Sequence, residues 1–550
     1  MTQAASPSPL PETSVDQDEI TGAAGSRRDG GGGDRPAARG PRRWFRPTPY
    51  RITALLALLV LVPMCVVMPW SGDIGQHAST IWRLRENLGD PTSPMIDVPG
   101  DGSPYFSPYQ VVAALVSLAT GWTPLQVLHA MAVLNVLLVL AGIGAFVRAL
   151  TTRPWAPVIA LLTYFFLWGT DVSVWSGYES FLSFSLGVSY PSAFAAGLMF
   201  LLWAGTLRLL GRVPGKEPLS DSLAVRIPAH LVAGLTLFVI LLSHPFTGIV
   251  VCLGLVGIIL GSIRGLSLRD WLLWSLSAAV LLVGILAWPY WSLFDLEQSA
   301  ALDSMHRSLY ERPLKWFGLA LVLGLFALVM RFRRDRLDPL VLTAVLIGSV
   351  VAYGWFSGHY SWGRAYPGLI VMLQLAVALE VARVPVKGWS RRAFALVVAA
   401  ALVFGLWVQA GAVFYLVPKK YFPTRVVHHV QAWNPWPGYG WATKYLEYGD
   451  VVMAAGERPL VQLPAYGYYT VQAGYPDPAV PQEQLDERAR DTSAFFSREA
   501  TATEKRRLVD KYHVEWVIVR PKDGVVPSGP GFTLVTTSPQ GEALVKVTEP

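Results

Sequence analysis

Residues 71–84 read Ser-Gly-Asp-Ile-Gly-Gln-His-Ala-Ser-Thr-Ile-Trp-Arg-Leu and directly follow the first long apolar run of the chain. Gly72-Asp73 marks the exit from a membrane helix. A helix that starts near Asp73 places His77, four residues later, on the same face. An ionisable pair at the outer surface of a membrane protein indicates chemistry on a membrane-borne substrate. The structural alternative for Asp73 is a helix N-cap, a position that aspartate favours.

The composition is that of a membrane protein. Of the 550 residues, 52% are hydrophobic and only 15% are charged. Apolar runs of roughly 17–25 residues, the length that spans a bilayer, recur between Arg51 and Pro418. Nothing in the charge pattern predicts nucleic-acid binding. Cys65 and Cys252 lie inside apolar runs, so neither a disulfide nor a cysteine metal site is expected.

The placement of Lys and Arg predicts the topology. Basic clusters precede the first apolar run and recur in short loops at 148–153, 208–216, 264–269, 331–336 and 383–392. The positive-inside rule assigns these loops and the N-terminus to the cytoplasm. If the apolar stretch 105–121 crossed the membrane, the basic loop at 148–153 would lie outside the cytoplasm, against this rule. We therefore interpret 105–121 as a helix at the outer surface, within a first outer loop that covers residues 70–124.

The predicted fold is mainly α: a polytopic transmembrane helix bundle of about 11 spans with a small extracytoplasmic C-terminal α/β domain. The odd number of crossings places the C-terminus outside the cell. The predicted spans are 52–69, 125–147, 155–170, 191–211, 228–243, 247–263, 271–291, 313–331, 338–356, 364–383 and 393–416.

The chain divides into three predicted parts. Residues 1–46 are poor in large apolar side chains and are expected to be a disordered cytoplasmic tail. Residues 47–417 form the transmembrane domain, and residues 418–550 form the outer α/β domain. In that domain 461–463, 516–519 and 532–535 have the pattern of strands, and 503–512 that of an amphipathic helix. Four aromatic residues precede these strands and are suited either to stacking on sugar rings or to an aromatic belt at the membrane interface. They are Trp433, Trp436, Tyr439 and Trp441.

The arrangement resembles the GT-C superfamily of integral-membrane glycosyltransferases, as found in bacteria. The resemblance rests on an acidic residue directly after the first span, on a bundle of about 11 spans, and on a soluble outer domain. The stretch 502–519, Ala-Thr-Glu-Lys-Arg-Arg-Leu-Val-Asp-Lys-Tyr-His-Val-Glu-Trp-Val-Ile-Val, is similar to a helix–strand unit of GT-C-like proteins. Many relatives have two acids in the first outer loop, whereas this chain has Asp73 followed by His77. That departure leaves both the metal requirement and the identity of the base open.

The resemblance implies transfer of a hexosyl or pentosyl group from a polyprenyl-phosphate donor to a glycan, lipid or protein acceptor of the cell envelope. Such transfer takes place at the outer face of the cell membrane. It implies Asp73 as the general base, with His77 beside it. Arginine binds phosphate in bidentate fashion, so Arg307, Arg312 and Arg364 are candidates for the donor phosphate. Outer polar and aromatic residues are candidates for substrate binding, namely Tyr178, Glu179, His244, His359 and Trp362.

No residue pattern assigns a metal site or a cofactor, and a divalent metal stays open. The adjacent pair His428 and His429 is weak evidence for one. For His77, for His244 before Pro245, and for Arg307 and Arg312, a structural role is the alternative.

Two other functions stay open: a transporter or flippase for a lipid-linked envelope precursor, and a non-catalytic envelope-assembly subunit. A transporter usually keeps ionisable groups near the bilayer midplane. The predicted span interiors carry almost no charge, which favours chemistry at the outer face.

Overall fold

The computed structural model describes residues 47–295, 300–383 and 389–548. The predicted disordered tail, 1–46, lies outside the described residues. From Thr48 on, the described chain belongs to one compact unit.

The described residues form mainly helices. In chain order the α-helices are α1 (Pro49–Val67), α2 (Ile74–Glu86), α3 (Pro108–Thr120), α4 (Pro124–Leu150), α5 (Ala156–Phe166), α6 (Phe181–Gly187), α7 (Pro191–Leu209), α8 (Leu223–Ser243), α9 (Pro245–Leu260), α10 (Leu268–Leu286), α11 (Ala300–His306), α12 (Pro313–Phe332), α13 (Pro339–Ser357), α14 (Tyr366–Ala382), α15 (Trp389–Val408), α16 (Thr424–His429), α17 (Glu457–Gln462), α18 (Gln482–Phe495) and α19 (Ala502–Tyr512). The β-strands are β1 (Val451–Ala454), β2 (Tyr469–Thr470), β3 (Trp516–Val519), β4 (Phe532–Thr537) and β5 (Ala543–Val547).

The chain is a multi-pass membrane protein. Nine described helical segments are long and apolar enough to cross a bilayer. Seven of them are α1, α4, α7, α8, α10, α12 and α13; the other two are Tyr360–Ala382, which contains α14, and Trp389–Tyr415, which contains α15. The expectation that 105–121 is not a span agrees with α3, a helix of only 13 residues.

Two of the 11 predicted spans are apolar helices shorter than these nine. The predicted span 155–170 is α5, of 11 residues, and 247–263 is α9, of 16 residues. At a rise of 1.5 Å per residue they cover about 16 Å and 24 Å of a hydrocarbon core of about 30 Å. After α5 the chain packs closely at Gly169, where an added Cβ would lie 2.1 Å from the carbonyl oxygen of Lys315. The proline after His244 separates α9 from α8.

The C-terminal part contains a five-stranded sheet in the order β2-β1-β3-β5-β4. Strand β1 is parallel to both β2 and β3, while β5 is antiparallel to β3 and β4. The strands at 516–519 and 532–535 and the helix at 503–512 are confirmed. The strand at 461–463 is wrong, because these residues end α17 and enter a 3₁₀ turn. A short apolar run fits a buried helix as well as a strand. The domain limits at 417 and 418 stay a prediction.

A glycine brings helix α2 into backbone contact with this C-terminal part. A Cβ placed on Gly75 would lie 1.8 Å from the carbonyl oxygen of Val461 in α17. Any larger residue at position 75 therefore forces the two helices apart. The contact continues along α2, because Ile74, Ala78 and Ile81 share one apolar cluster with Ala465.

Arg83 completes the same contact with a buried charge. Its side chain is 1% exposed. The guanidinium donates to the carbonyl oxygens of Gly467 at 3.2 Å and Tyr468 at 2.8 Å and to the Tyr448 hydroxyl at 3.1 Å. It also lies 3.6 Å from the ring centre of Tyr469. All four partners belong to the C-terminal part, so helix α2 and that part are held as one body.

The close approach at Gly75 gives a stability prediction. We expect Gly75→Ala to lower the free energy of unfolding by about 1–3 kcal/mol, because the methyl group overlaps a backbone carbonyl that cannot move freely. Thermal unfolding of the purified protein in lipid nanodiscs measures the effect.

Gly205→Ala is the matched control. A Cβ at Gly205, in α7, meets no atom within 4 Å, so alanine is expected to be neutral or slightly stabilising. Equal melting temperatures for Gly75→Ala and the wild type would contradict the tight contact.

Candidate active site between the outer helices and the C-terminal part

Asp73 occupies the N-cap position of α2, but its carboxylate does not cap the helix. Its backbone carbonyl accepts from the N–H of His77 at 2.9 Å, while the side chain makes no capping hydrogen bond. The side chain is partly buried. Burial raises the pKa of Asp73, and the positive charge of Arg364 and a hydrogen bond with Tyr475 oppose this rise. The carboxylate is therefore free for another role and is coupled to an arginine almost 300 residues later.

Three tyrosines surround this carboxylate. Tyr475 comes from the segment after β2, Tyr105 from the first outer loop, and Tyr190 from the start of α7. The Tyr190 hydroxyl donates to the carbonyl oxygen of Ser71 at 2.7 Å. Burial and the negative charge of Asp73 raise the pKa of all three tyrosines. They are neutral donors, and the sequence analysis missed them because no local motif ties them to Asp73.

His77 projects from the first turn of α2 into the same region. Its Nδ1 lies 2.9 Å from Nε2 of Gln110 in α3, and its ring packs edge-on against Tyr190 with centres 4.8 Å apart. Within the described part of the chain, its buried Nε2 has no hydrogen-bond partner. Burial lowers the pKa of His77 to about 3, so the imidazole is neutral at physiological pH.

Arg364 lies in the 3₁₀ turn Tyr360–Ala365 that leads into α14. Its guanidinium carbon lies 5.6 Å from the ring centre of Trp175 and 5.0 Å from that of Phe246. Among the described residues it has no hydrogen bond or ion pair, although its charge acts on Asp73, His244 and Tyr178. The aromatic contacts orient the guanidinium and leave its N–H donors for a ligand.

Arg364 also lines a small cavity with two other predicted residues, Glu179 and His244. The cavity measures about 30 Å³ and is further lined by Ser176, Gly177 and Tyr164, among others. The Glu179 side chain is 4% exposed. Tyr178 lies next to the cavity: it is buried and stacks on Trp168, with ring centres 6.2 Å apart.

The structure does not bring the other predicted residues into this lining. Arg307 is exposed and lies 5.8 Å from the ring centre of Tyr360, and Arg312 is exposed at the start of α12. His359 Nδ1 lies 3.2 Å from a carboxylate oxygen of Asp303. Trp362 packs edge-on against Tyr353 with ring centres 6.4 Å apart. Their roles in binding stay predictions.

The described residues do not assemble a metal centre. Within them, no group of three or more His, Cys, Asp or Glu side chains is placed to hold a metal ion. The Nδ1 of His429 lies 2.7 Å from the carbonyl oxygen of Arg425. Asp73 and His77 supply two candidate donors at this site, and the metal requirement stays an open prediction.

The helical membrane bundle and the small C-terminal sheet match the fold of solved GT-C glycosyltransferases. Three solved structures share it. ArnT from Cupriavidus metallidurans is 16% identical with a TM-score of 0.52, covering 90% of this chain and 97% of that one. The Archaeoglobus fulgidus oligosaccharyltransferase with zinc and sulfate is 15% identical with a TM-score of 0.51, covering 85% and 68%. The mycobacterial arabinofuranosyltransferase AftD is 14% identical with a TM-score of 0.51, covering 92% and 40%.

The likeness to these proteins lies in structure. No protein-family model and no curated protein sequence matches the chain. At about 15% identity the comparison establishes the fold and leaves the reaction to the site itself.

The coupling of Asp73 to Arg364 predicts a pH effect. If Asp73 is the base, kcat/KM rises with pH as its carboxyl group ionises, and the midpoint lies above the ordinary aspartate value because burial raises the pKa. Arg364→Gln removes the opposing positive charge, so we expect the midpoint to move to still higher pH. The pH dependence of kcat/KM between about pH 4 and 9 measures it.

Arg425→Gln serves as the control for this series. Arg425 is exposed in α16, so its loss should leave the midpoint in place. A midpoint that is the same in Arg364→Gln and the wild type would mean that Arg364 does not act on the ionising group.

Proposed function

We propose that this chain is a GT-C-type glycosyltransferase that moves a sugar from a polyprenyl-phosphate donor to a cell-envelope or lipid acceptor at the outer face of the membrane. One observation carries the proposal. Asp73, whose carboxylate does not cap α2, is electrostatically coupled to Arg364, and among the described residues the Arg364 guanidinium has no hydrogen-bond or ion-pair partner. A base and an anion-binding group thus lie in one site.

The chemistry follows from these two groups. The acceptor hydroxyl attacks the anomeric carbon of the donor while Asp73 takes its proton. The bond between the anomeric carbon and the phosphate oxygen breaks, and polyprenyl phosphate leaves with the electron pair. Arg364 stabilises the negative charge that remains on the leaving phosphate. Attack opposite to the leaving group inverts the anomeric centre.

The neutral groups around Asp73 support this division of roles. The pKa of His77 is about 3, so His77 is neutral and does not compete with Arg364 for the anion. Gln110 holds one ring nitrogen of His77, which leaves the other for the acceptor or for the phosphate. Tyr475 donates to Asp73 and orients its carboxylate toward the acceptor.

The solved neighbours are consistent with a lipid-phosphate donor. A second structure of ArnT from Cupriavidus metallidurans is bound to undecaprenyl phosphate, at a TM-score of 0.51 and 15% identity. Transfer of that lipid class to this chain is part of the proposal. The same holds for the topology, with the N-terminus in the cytoplasm and the C-terminal part outside.

The first experiment compares sugar transfer by the wild type and by Asp73→Asn, in membranes that contain equal amounts of each. Labelled polyprenyl-phosphate hexoses and pentoses are supplied as donors. We expect Asp73→Asn to lose at least about a hundredfold in rate, the lower end for a general base. The active donor also identifies the sugar.

Asp101→Asn is the matched control, since Asp101 is an exposed acid of the same outer loop. Full activity of Asp73→Asn would remove Asp73 as the base. Transfer by neither protein from any donor would favour the transporter or the assembly subunit instead.

A further inference from the structure

The cavity beside Arg364 contains polar groups that the transfer chemistry above does not use. His244 and Glu179 both face it, and both are at the junctions of outer segments with the membrane helices. Its volume of about 30 Å³ is enough for about two water molecules. It therefore accepts a small polar group such as a hydroxyl.

The role of His244 in the helix fixes its protonation. Its Nδ1 caps α9 by accepting the backbone N–H of Thr247 at 3.3 Å, and it also contacts the Thr247 hydroxyl at 2.8 Å. The single proton of the neutral imidazole is then on Nε2. Burial and the charge of Arg364 lower the pKa of His244 to about 3, so the ring stays neutral. Its Nε2–H is a donor without a hydrogen-bond partner within the described ranges.

Glu179 supplies a carboxyl group to the same cavity. Its Oε2 is buried and, within the described part of the chain, has no hydrogen-bond partner. Burial raises the pKa of Glu179 to about 8, although the neighbouring Tyr164 hydroxyl opposes the rise. The carboxyl group therefore carries its proton at neutral pH and can both donate and accept. An unsatisfied buried polar group costs about 1–3 kcal/mol, which a bound ligand recovers.

The backbone shows why His244 and Glu179 line one cavity. Gly177 has φ +83°, and a Cβ there would lie 3.4 Å from Cε1 of His244. The loop that carries Glu179 therefore passes directly over the imidazole.

We propose that His244 and Glu179 form a hydroxyl-recognition pocket that selects the donor by binding one hydroxyl group of its sugar. The inference rests on the transferase function proposed above. A hydroxyl accepts from His244 Nε2–H and donates to, or accepts from, the Glu179 carboxyl, so both partners are satisfied. A cation is disfavoured by the positive charge of Arg364. Arg364 at the same cavity then places the adjoining phosphate.

The test is a substrate–variant cycle on the full-length protein in nanodiscs. The donors are the active polyprenyl-phosphate sugar and its monodeoxy analogues, and the readout is kcat/KM. The variants are Glu179→Leu, which keeps size and removes polarity, and Glu179→Gln, which keeps a neutral donor and acceptor.

For the wild type we expect one deoxy analogue to lose about tenfold or more in kcat/KM. With Glu179→Leu, kcat/KM for the parent sugar falls by a similar factor. The kcat/KM of this variant for the same deoxy analogue is little lower than for the parent sugar, because the partner of that hydroxyl is already gone. Glu179→Gln should restore the discrimination. Thr492→Val, which removes another buried hydroxyl without a partner among the described residues, should keep it, and melting temperatures confirm folding.

Each outcome is decisive. If Glu179→Leu lowered kcat/KM equally for the parent sugar and for every deoxy analogue, the proposed pocket would be overturned. The transferase function would still stand. Failure of Glu179→Gln to restore discrimination would do the same. Absence of transfer by the wild type from every donor would overturn the proposed function and the pocket with it.

Discussion

The buried guanidinium of Arg83 ties the outer helix α2 to the C-terminal part of the chain, and the site depends on that tie. A charge removed from water is costly unless its hydrogen bonds are replaced. Here two carbonyls, one hydroxyl and an aromatic face replace those of the two terminal nitrogens, and all four partners belong to residues 448–469. These partners lie beside Arg83 only when the C-terminal part packs against α2. The docking also brings Tyr475 to Asp73 at the other end of α2.

Within the site, charge is concentrated in two groups. Asp73 and Arg364 act on each other, while His77, His244 and Glu179 are held neutral by burial. Neutral neighbours screen the pair less than water does, so its interaction is stronger than it would be at a surface. A site of this kind responds steeply to the appearance of a new negative charge.

The sequence was sufficient for the features that depend on local pattern. The position of Asp73 after an apolar run, the nine membrane-length helices among the described residues, and the strand at 516–519 all follow from hydrophobic periodicity and charge. The sequence was insufficient where contacts between distant parts of the chain matter. Gly169 packs against the backbone of Lys315, and Gly75 packs against the backbone of Val461. Tyr475 and Asp73 are about 400 residues apart, a distance at which no local motif applies.

That separation has a consequence for the synthesis of the protein. Asp73 is synthesised about 400 residues before Tyr475, and Arg83 is synthesised well before its partners at residues 448–469. A nascent chain that ends before residue 448 carries Asp73 and Arg83 without these partners. The contacts between α2 and the C-terminal part therefore form only after that part has been made.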